Sequence, residues 1–130
     1  MATLQELRRV IVLDDEKVIA NTLALILNRS GYEAHAVYTG EAAVQTAREV
    51  SPDVLISDVI MRGMTGLEAA MQIAEIAPRC RIILFSGQAA TADLLEEAKA
   101  NGHNFELLTK PVHPRTLLDH LSKSEGQADS

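Results

Sequence analysis

Cysteine occurs once in the 130 residues, tryptophan not at all, and phenylalanine and tyrosine twice each. The lone Cys80 excludes an intramolecular disulfide and every multi-cysteine metal motif, and it fits a reducing compartment. It reads as a packing residue. With aromatics at 3%, a core must come from aliphatic side chains, and a hydrophobic content of 47% is enough for one domain of this size. No apolar run approaches the roughly 20 residues needed to span a bilayer. Residues 1–9 lack the apolar core of a signal peptide, so no membrane is expected as a partner and the cytoplasm is the expected location. Positive charge is also scarce: 12 Lys and Arg stand against 18 Asp and Glu, a formal net charge of -6. Such a chain has no broad basic surface for phosphate backbones, so no direct nucleic acid partner is expected. Four histidines, His35, His103, His113 and His120, show no metal-ligand spacing and read as surface or packing residues.

What is present is a regular alternation. Strand-like apolar runs near 9–13, 33–37, 53–57, 81–85 and 105–109 alternate with helix-like stretches near 16–29, 41–50, 66–77, 90–101 and 113–123. In the first helical stretch Val18, Ile19, Leu23, Ile26 and Leu27 recur at helical spacing, and Gly31 ends it. Five βα units with short connections predict an α/β fold: a five-stranded parallel sheet with five helices distributed over both faces. The first, third and fourth runs are continuously apolar, as strands buried on both faces must be. Glu33-Ala34-His35-Ala36-Val37 alternates, and Phe105-Glu106-Leu107 carries a charge, which marks both as edges. The resulting order is the flavodoxin-like 2-1-3-4-5, whose ligands sit beyond the carboxyl ends of strands one and three. Residues 1–122 form the expected domain, and the polar segment 123–130 is expected to be a flexible tail.

The chemistry collects at those strand ends. Val10-Ile11-Val12-Leu13 runs into Asp14-Asp15, and Val54-Leu55-Ile56-Ser57 runs into Asp58. Ile82-Ile83-Leu84-Phe85 ends in Ser86, and the fifth run, after Thr109, ends in Lys110-Pro111. Taken alone, a strand-ending Asp is more often a cap or turn residue, and Lys-Pro an ordinary turn. Four such ends converging at one place are another matter. Three carboxylates held together repel unless a cation neutralises them. Oxygen-only ligands select a hard ion such as Mg²⁺, with Mn²⁺ able to substitute. A carboxylate can also attack phosphorus when charge on the transferring group is neutralised, here by the metal, Lys110 and Ser86. Asp58 stands alone on the central third strand and suits that role, whereas the adjacent Asp14-Asp15 suit metal coordination.

The ordered set Asp14-Asp15, Asp58-Val59-Ile60-Met61-Arg62-Gly63-Met64-Thr65-Gly66, Ser86 and Lys110-Pro111 resembles the receiver domain of two-component response regulators, the CheY-like family, over residues 8 to 122. The resemblance implies that Asp58 accepts a phosphoryl group from a histidine kinase or phosphotransfer protein. It implies Mg²⁺ held by Asp15, Asp58 and the main-chain carbonyl of Ile60, with Asp14 acting through metal-bound water. Lys110 is then the partner of Asp58 or of the phosphoryl group, and the Lys110–Pro111 peptide is expected to be cis. Ser86 turns toward the phosphoryl oxygens and switches a surface of the fourth helix, fifth strand and fifth helix that an unknown output protein would bind. Such a domain is a signalling module rather than an enzyme, and it is expected to act alone, without an attached DNA-binding output.

Two positions depart from the family's pattern. Leu107 stands three residues before Lys110, where receivers commonly carry the Tyr or Phe that partners the Ser/Thr switch, so output would rely on backbone movement near Ser86-Gly87. Arg62 stands where many receivers have Pro, either as a tolerated loop residue or as a mobile cation beside the site. The alternative function is a protein-binding module or phosphate sink with little phosphorylation-driven output. A flavodoxin-like nucleotide binder is disfavoured because Asp14-Asp15-Glu16 would repel a phosphate where such folds place Gly, Ser or Thr. A dehalogenase-like phosphatase would need a D-x-D pattern after the first strand, which Asp14-Asp15-Glu16-Lys17 lacks.

Overall fold

A computed structural model describes residues 8–59, 61, 63–87, 91–100 and 102–128. Five strands, β1 (Arg9–Leu13), β2 (Glu33–Val37), β3 (Val54–Asp58), β4 (Arg81–Ser86) and β5 (Glu106–Thr109), alternate with five helices. These are α1 (Lys17–Arg29), α2 (Gly40–Val50), α3 (Gly66–Ile76), α4 (Thr91–Ala100) and α5 (Pro114–Ala128). All strand pairs are parallel and the order is β2-β1-β3-β4-β5, as the apolar patterns predict. The α5 helix runs to Ala128, past the stretch near 113–123 that the side-chain pattern marks. Extending a helix that is already nucleated needs no further apolar contact, so periodicity cannot find its end.

Alternation along the central strands builds two separate cores. Ile11, Leu13, Leu55, Ile82 and Leu84 pack with Ala43, Ala47, Ala70 and Ile73 of α2 and α3 on one face. Val10, Val12, Val54, Ile56, Ile83 and Phe85 pack with Leu23 and Leu27 of α1 and Leu117 and Leu121 of α5 on the other. A strand that feeds both cores must be apolar at every position, which is why these runs do not alternate. Cys80 lies partly buried just before β4, and burial pushes its thiol up to about 12, so it is a neutral packing residue.

The register places the site. Val10 through Leu13 of β1 face Val54 through Ser57 of β3, so the next residue, Asp14, comes level with Asp58. On the other flank Asp58 faces Phe85, and Ser86 faces Thr109, with Lys110 one step further. Main-chain bonds extend this alignment past the strand ends: the amides of Asp14, Val59 and Lys110 donate to the carbonyls of Val37, Phe85 and Ser86 at 3.2, 3.2 and 3.1 Å. Short backbone bonds therefore carry the polar groups to one level. Ile56 is fully buried in the strand that sets this register. Ile56→Ala should lower the unfolding free energy by about 2–5 kcal/mol, measured by urea denaturation. A loss near zero would show that the central strand is not packed as described.

Candidate functional site

Asp14, Asp15 and Asp58 each offer a carboxylate oxygen within 4.8 Å of the others. Asp14 is 1% exposed and Asp58 7%, so both are almost wholly removed from water, while Asp15 is partly exposed. The Glu16 amide donates to Oδ1 of Asp14 at 2.9 Å, but Oδ2 is buried without a hydrogen-bond partner. Burial pushes the Asp14 carboxyl above the ordinary carboxylate range. The charges of Asp58 and Asp15 add to that push, and the Glu16 amide and Lys110 oppose it only in part. Lys110 Nζ donates to Asp58 Oδ2 at 3.0 Å across 52 residues of sequence. Its main chain is fixed by the bond to Ser86, and the peptide that follows, Lys110–Pro111, is cis as expected.

The backbone beneath Asp58 is held by groups that sequence reading did not single out as supports. Ser57 Oγ, fully buried, donates to the Asp58 carbonyl at 2.8 Å. The Gly66 amide donates to the Val59 carbonyl at 2.9 Å. A Cβ on Gly66 would overlap the Asp58 carbonyl oxygen and come within 2.7 Å of Ser57 Oγ, so only glycine lets α3 start here. That start is closed by a capping box: the Glu68 amide donates to Thr65 Oγ1 at 3.1 Å, and the Thr65 amide donates to Glu68 Oε1 at 2.8 Å. The Thr65-x-x-Glu68 spacing is a legible signal for the capping box. The close approach at Gly66 has none, because it depends on how α3 crosses the end of β3.

Ser86 is 3% exposed at the end of β4, beside Lys110 and one strand from Asp58. Leu107 of β5 is paired with Leu84 of β4 and is 37% exposed. Phe105, two residues earlier, packs against the α2–α3 core and stacks on His103, with ring centroids 5.4 Å apart. No aromatic ring therefore occupies the Leu107 position. Ile60 and Arg62 lie outside the described residues. The structure thus brings Asp14, Asp15, Asp58, Ser86, Lys110 and Pro111 together from four strand ends.

This donor set fits a hard divalent cation: a partnerless buried carboxylate oxygen, two further carboxylates in reach, and, among the described residues, no other group of three or more acids, histidines or cysteines. Beside it a cavity of about 460 Å³ opens between α1 and the turn after β5, lined by Val18, Ile19, Leu23, Phe85 and Val112 next to Asp14 and Lys110. Val18 is 78% exposed at its mouth.

A family model for the response regulator receiver domain matches residues 10–122. The chain is 32% identical over 117 residues to the chemotaxis protein CheY of Thermotoga maritima, covering 89% of this chain and 96% of that protein. Among solved structures it resembles the chemotaxis protein CheY4 of Vibrio cholerae at 29% identity and a TM-score of 0.80, covering 91% of this chain and 98% of that one. A response regulator receiver domain protein from Clostridium thermocellum matches with 26% identity and a TM-score of 0.80, over 95% and 98% of the two chains. No helix among the described residues is long and apolar enough to cross a membrane.

The contact at Gly66 can be tested directly. Gly66→Ala should destabilise the fold by about 1–3 kcal/mol through overpacking and, by displacing the Asp58 main chain, weaken Mn²⁺ binding followed by paramagnetic relaxation of water protons. Wild-type stability together with wild-type Mn²⁺ affinity would contradict this account of the contact.

Proposed function

The chain belongs to the response regulator receiver domain family, and from that premise we propose that it is a phosphorylatable switch whose phosphoacceptor is Asp58. The observation that carries this reading is the Lys110–Asp58 pair set beside two further carboxylates, one of which keeps a buried oxygen without a partner. A carboxylate oxygen of Asp58 bonds to phosphorus as the P–N bond of a histidine kinase's or phosphotransfer protein's phosphohistidine breaks. The bonding pair goes to the imidazole nitrogen, which takes a proton as it leaves. Asp14, Asp15 and Asp58, with the Ile60 carbonyl, would hold Mg²⁺ or Mn²⁺, which when bound neutralises the acids and the incoming phosphoryl oxygens. Lys110 holds the acceptor in place before transfer and pairs with the phosphoryl group afterwards. The Ser86 hydroxyl donates to a phosphoryl oxygen.

The added charge then biases the β4–α4 loop, and the change is read on the surface of α4, β5 and α5 by an output protein. Leu107 favours a variation on this theme: without an aromatic ring at position 107, the signal travels through the main chain of Ser86 and Gly87, whose neighbour Lys110 is bonded to the Ser86 carbonyl. The same residue supports the second reading, a phosphate sink or binding module with little output. The apolar cavity between α1 and the β5–α5 turn gives the phosphodonor protein a place to seat aliphatic side chains next to Asp14 and Lys110. Such a domain works in the cytoplasm and is not an enzyme acting on a separate substrate.

Intact-mass analysis after incubation with acetyl phosphate and Mg²⁺ should find one phosphoryl group, labile to hydroxylamine, lost without Mg²⁺ and absent from Asp58→Asn. Phosphoryl uptake by Asp58→Asn at the wild-type rate would move the acceptor elsewhere. No uptake under any Mg²⁺ concentration that binds would favour the phosphorylation-independent module.

A further inference from the structure

A second cluster of charged groups lies at the opposite end of the sheet from the carboxylates. Arg81 opens β4, Glu106 opens β5, and His120 lies in α5. Arg81 Nε and Nη2 donate to Glu106 Oε2 and Oε1 at 2.7 and 2.8 Å, a two-point pair. The outer amines of the same guanidinium reach the main-chain carbonyls of Leu121 and His120 at 3.4 and 3.3 Å. His120 Nε2 lies 2.7 Å from Glu106 Oε1. Burial pushes the Glu106 carboxyl up, but hydrogen bonds and charge from Arg81 and His120 outweigh it and hold it below the ordinary carboxylate range. Glu106 is therefore ionised at neutral pH.

The other edge of the sheet carries the same three residue types and shows what is different here. There Arg9 lies 3.7 Å from Glu33 with both side chains well exposed, and His35 is on the same strand as Glu33. That group joins two neighbouring strands by a weak, wet contact. The Arg81 side chain is only 16% exposed, and its cluster ties together β4, β5 and α5. Among the described side chains α5 buries just Leu117 and Leu121, whereas α1, packed on the same face, buries Ala20, Leu23, Ala24 and Leu27. The guanidinium meets α5 at the turn of Leu121, the second of those two buried anchors. With two buried leucines and the partly buried Leu118 as its apolar seat among the described side chains, α5 also draws on its polar fastening.

We propose that Arg81, Glu106 and His120 form a latch that seats α5 on the β4–β5 edge and sets how readily that helix lifts away, independently of the chemistry at Asp58. With the latch closed, β5 is pinned at both ends, by Glu106 to Arg81 and by Lys110 to Asp58. With it open, α5 loosens beyond Leu117 while β1, β3 and the carboxylates keep their register. The latch is thus a control point for the α5 surface that lies about one sheet length from the phosphoacceptor.

Hydrogen exchange followed by mass spectrometry on Arg81→Gln, Glu106→Gln and His120→Gln tests this. Peptides of α5 should exchange about tenfold faster or more in Arg81→Gln and Glu106→Gln, less so in His120→Gln, with α1 peptides unchanged. The double variant Arg81→Gln/Glu106→Gln should be no faster than the faster single, because one latch is being opened. Rates in α5 within twofold of wild type would overturn the proposal. Equal acceleration of α1 and α5 would overturn it too, as general destabilisation. If Arg81→Gln or Glu106→Gln does not fold, His120→Gln decides on the same α5 and α1 peptides.

Discussion

Everything at the functional end of this molecule depends on crowding like charges in a place with little water. Asp14 and Asp58 sit level on neighbouring strands, almost wholly buried, with Asp15 beside them. Lys110 compensates part of that charge through Asp58. Asp14 is left with its carboxyl pushed up and one oxygen without a partner. A fold selected for stability alone would place Asn or Ser there. The arrangement makes sense as a site held ready for added positive charge and for the exchange of charge at Asp58.

Holding such a site requires a rigid base, and the sheet supplies it. The two cores clamp β1, β3 and β4 from both faces, so the carboxylates cannot separate by sliding a strand without moving apolar side chains into the wrong layer. Gly66 and Ser57 then fix the main chain directly under Asp58. The polar site and the apolar cores are thus one construction. By contrast, the outer strand β5 has a ladder to β4 alone, and its ends are held by charge: Lys110 at one, Glu106 at the other. That makes the β5–α5 edge the less firmly clamped part of the sheet, and the part the proposed α5 latch acts on.

Most of the fold was legible because its signals are local. Continuous apolar runs gave the central strands, the alternating Glu33–Val37 and the charged Phe105–Leu107 gave the edges, and together they gave the strand order. The meeting of Asp14, Asp15, Asp58, Ser86 and Lys110 followed from that order. What was not legible arises from packing between elements distant in sequence. Glu106 reads as an edge-strand charge and His120 as a surface residue, and nothing in either neighbourhood announces that Arg81 joins them across 25 and 39 residues. Gly66 reads as a helix-start glycine, and its contact with the Asp58 carbonyl appears only when α3 is laid against β3. The missing aromatic at Leu107 was visible in the sequence, but that Phe105 turns to His103 instead of replacing it was not.

The central claim is that the buried charge of Asp14 is held at the expense of stability and is relieved by a divalent cation. The sign follows from the raised carboxyl: folding favours its neutral form, so the stability this group lends at low pH is lost as pH rises through its folded value. Thermal unfolding of the wild type and of Asp14→Asn at neutral pH, with and without Mg²⁺, measures this directly. The account predicts that Asp14→Asn melts higher than the wild type without Mg²⁺ and gains less when Mg²⁺ is added. An Asp14→Asn protein that melts lower without Mg²⁺, yet gains as much from it as the wild type, would contradict the account.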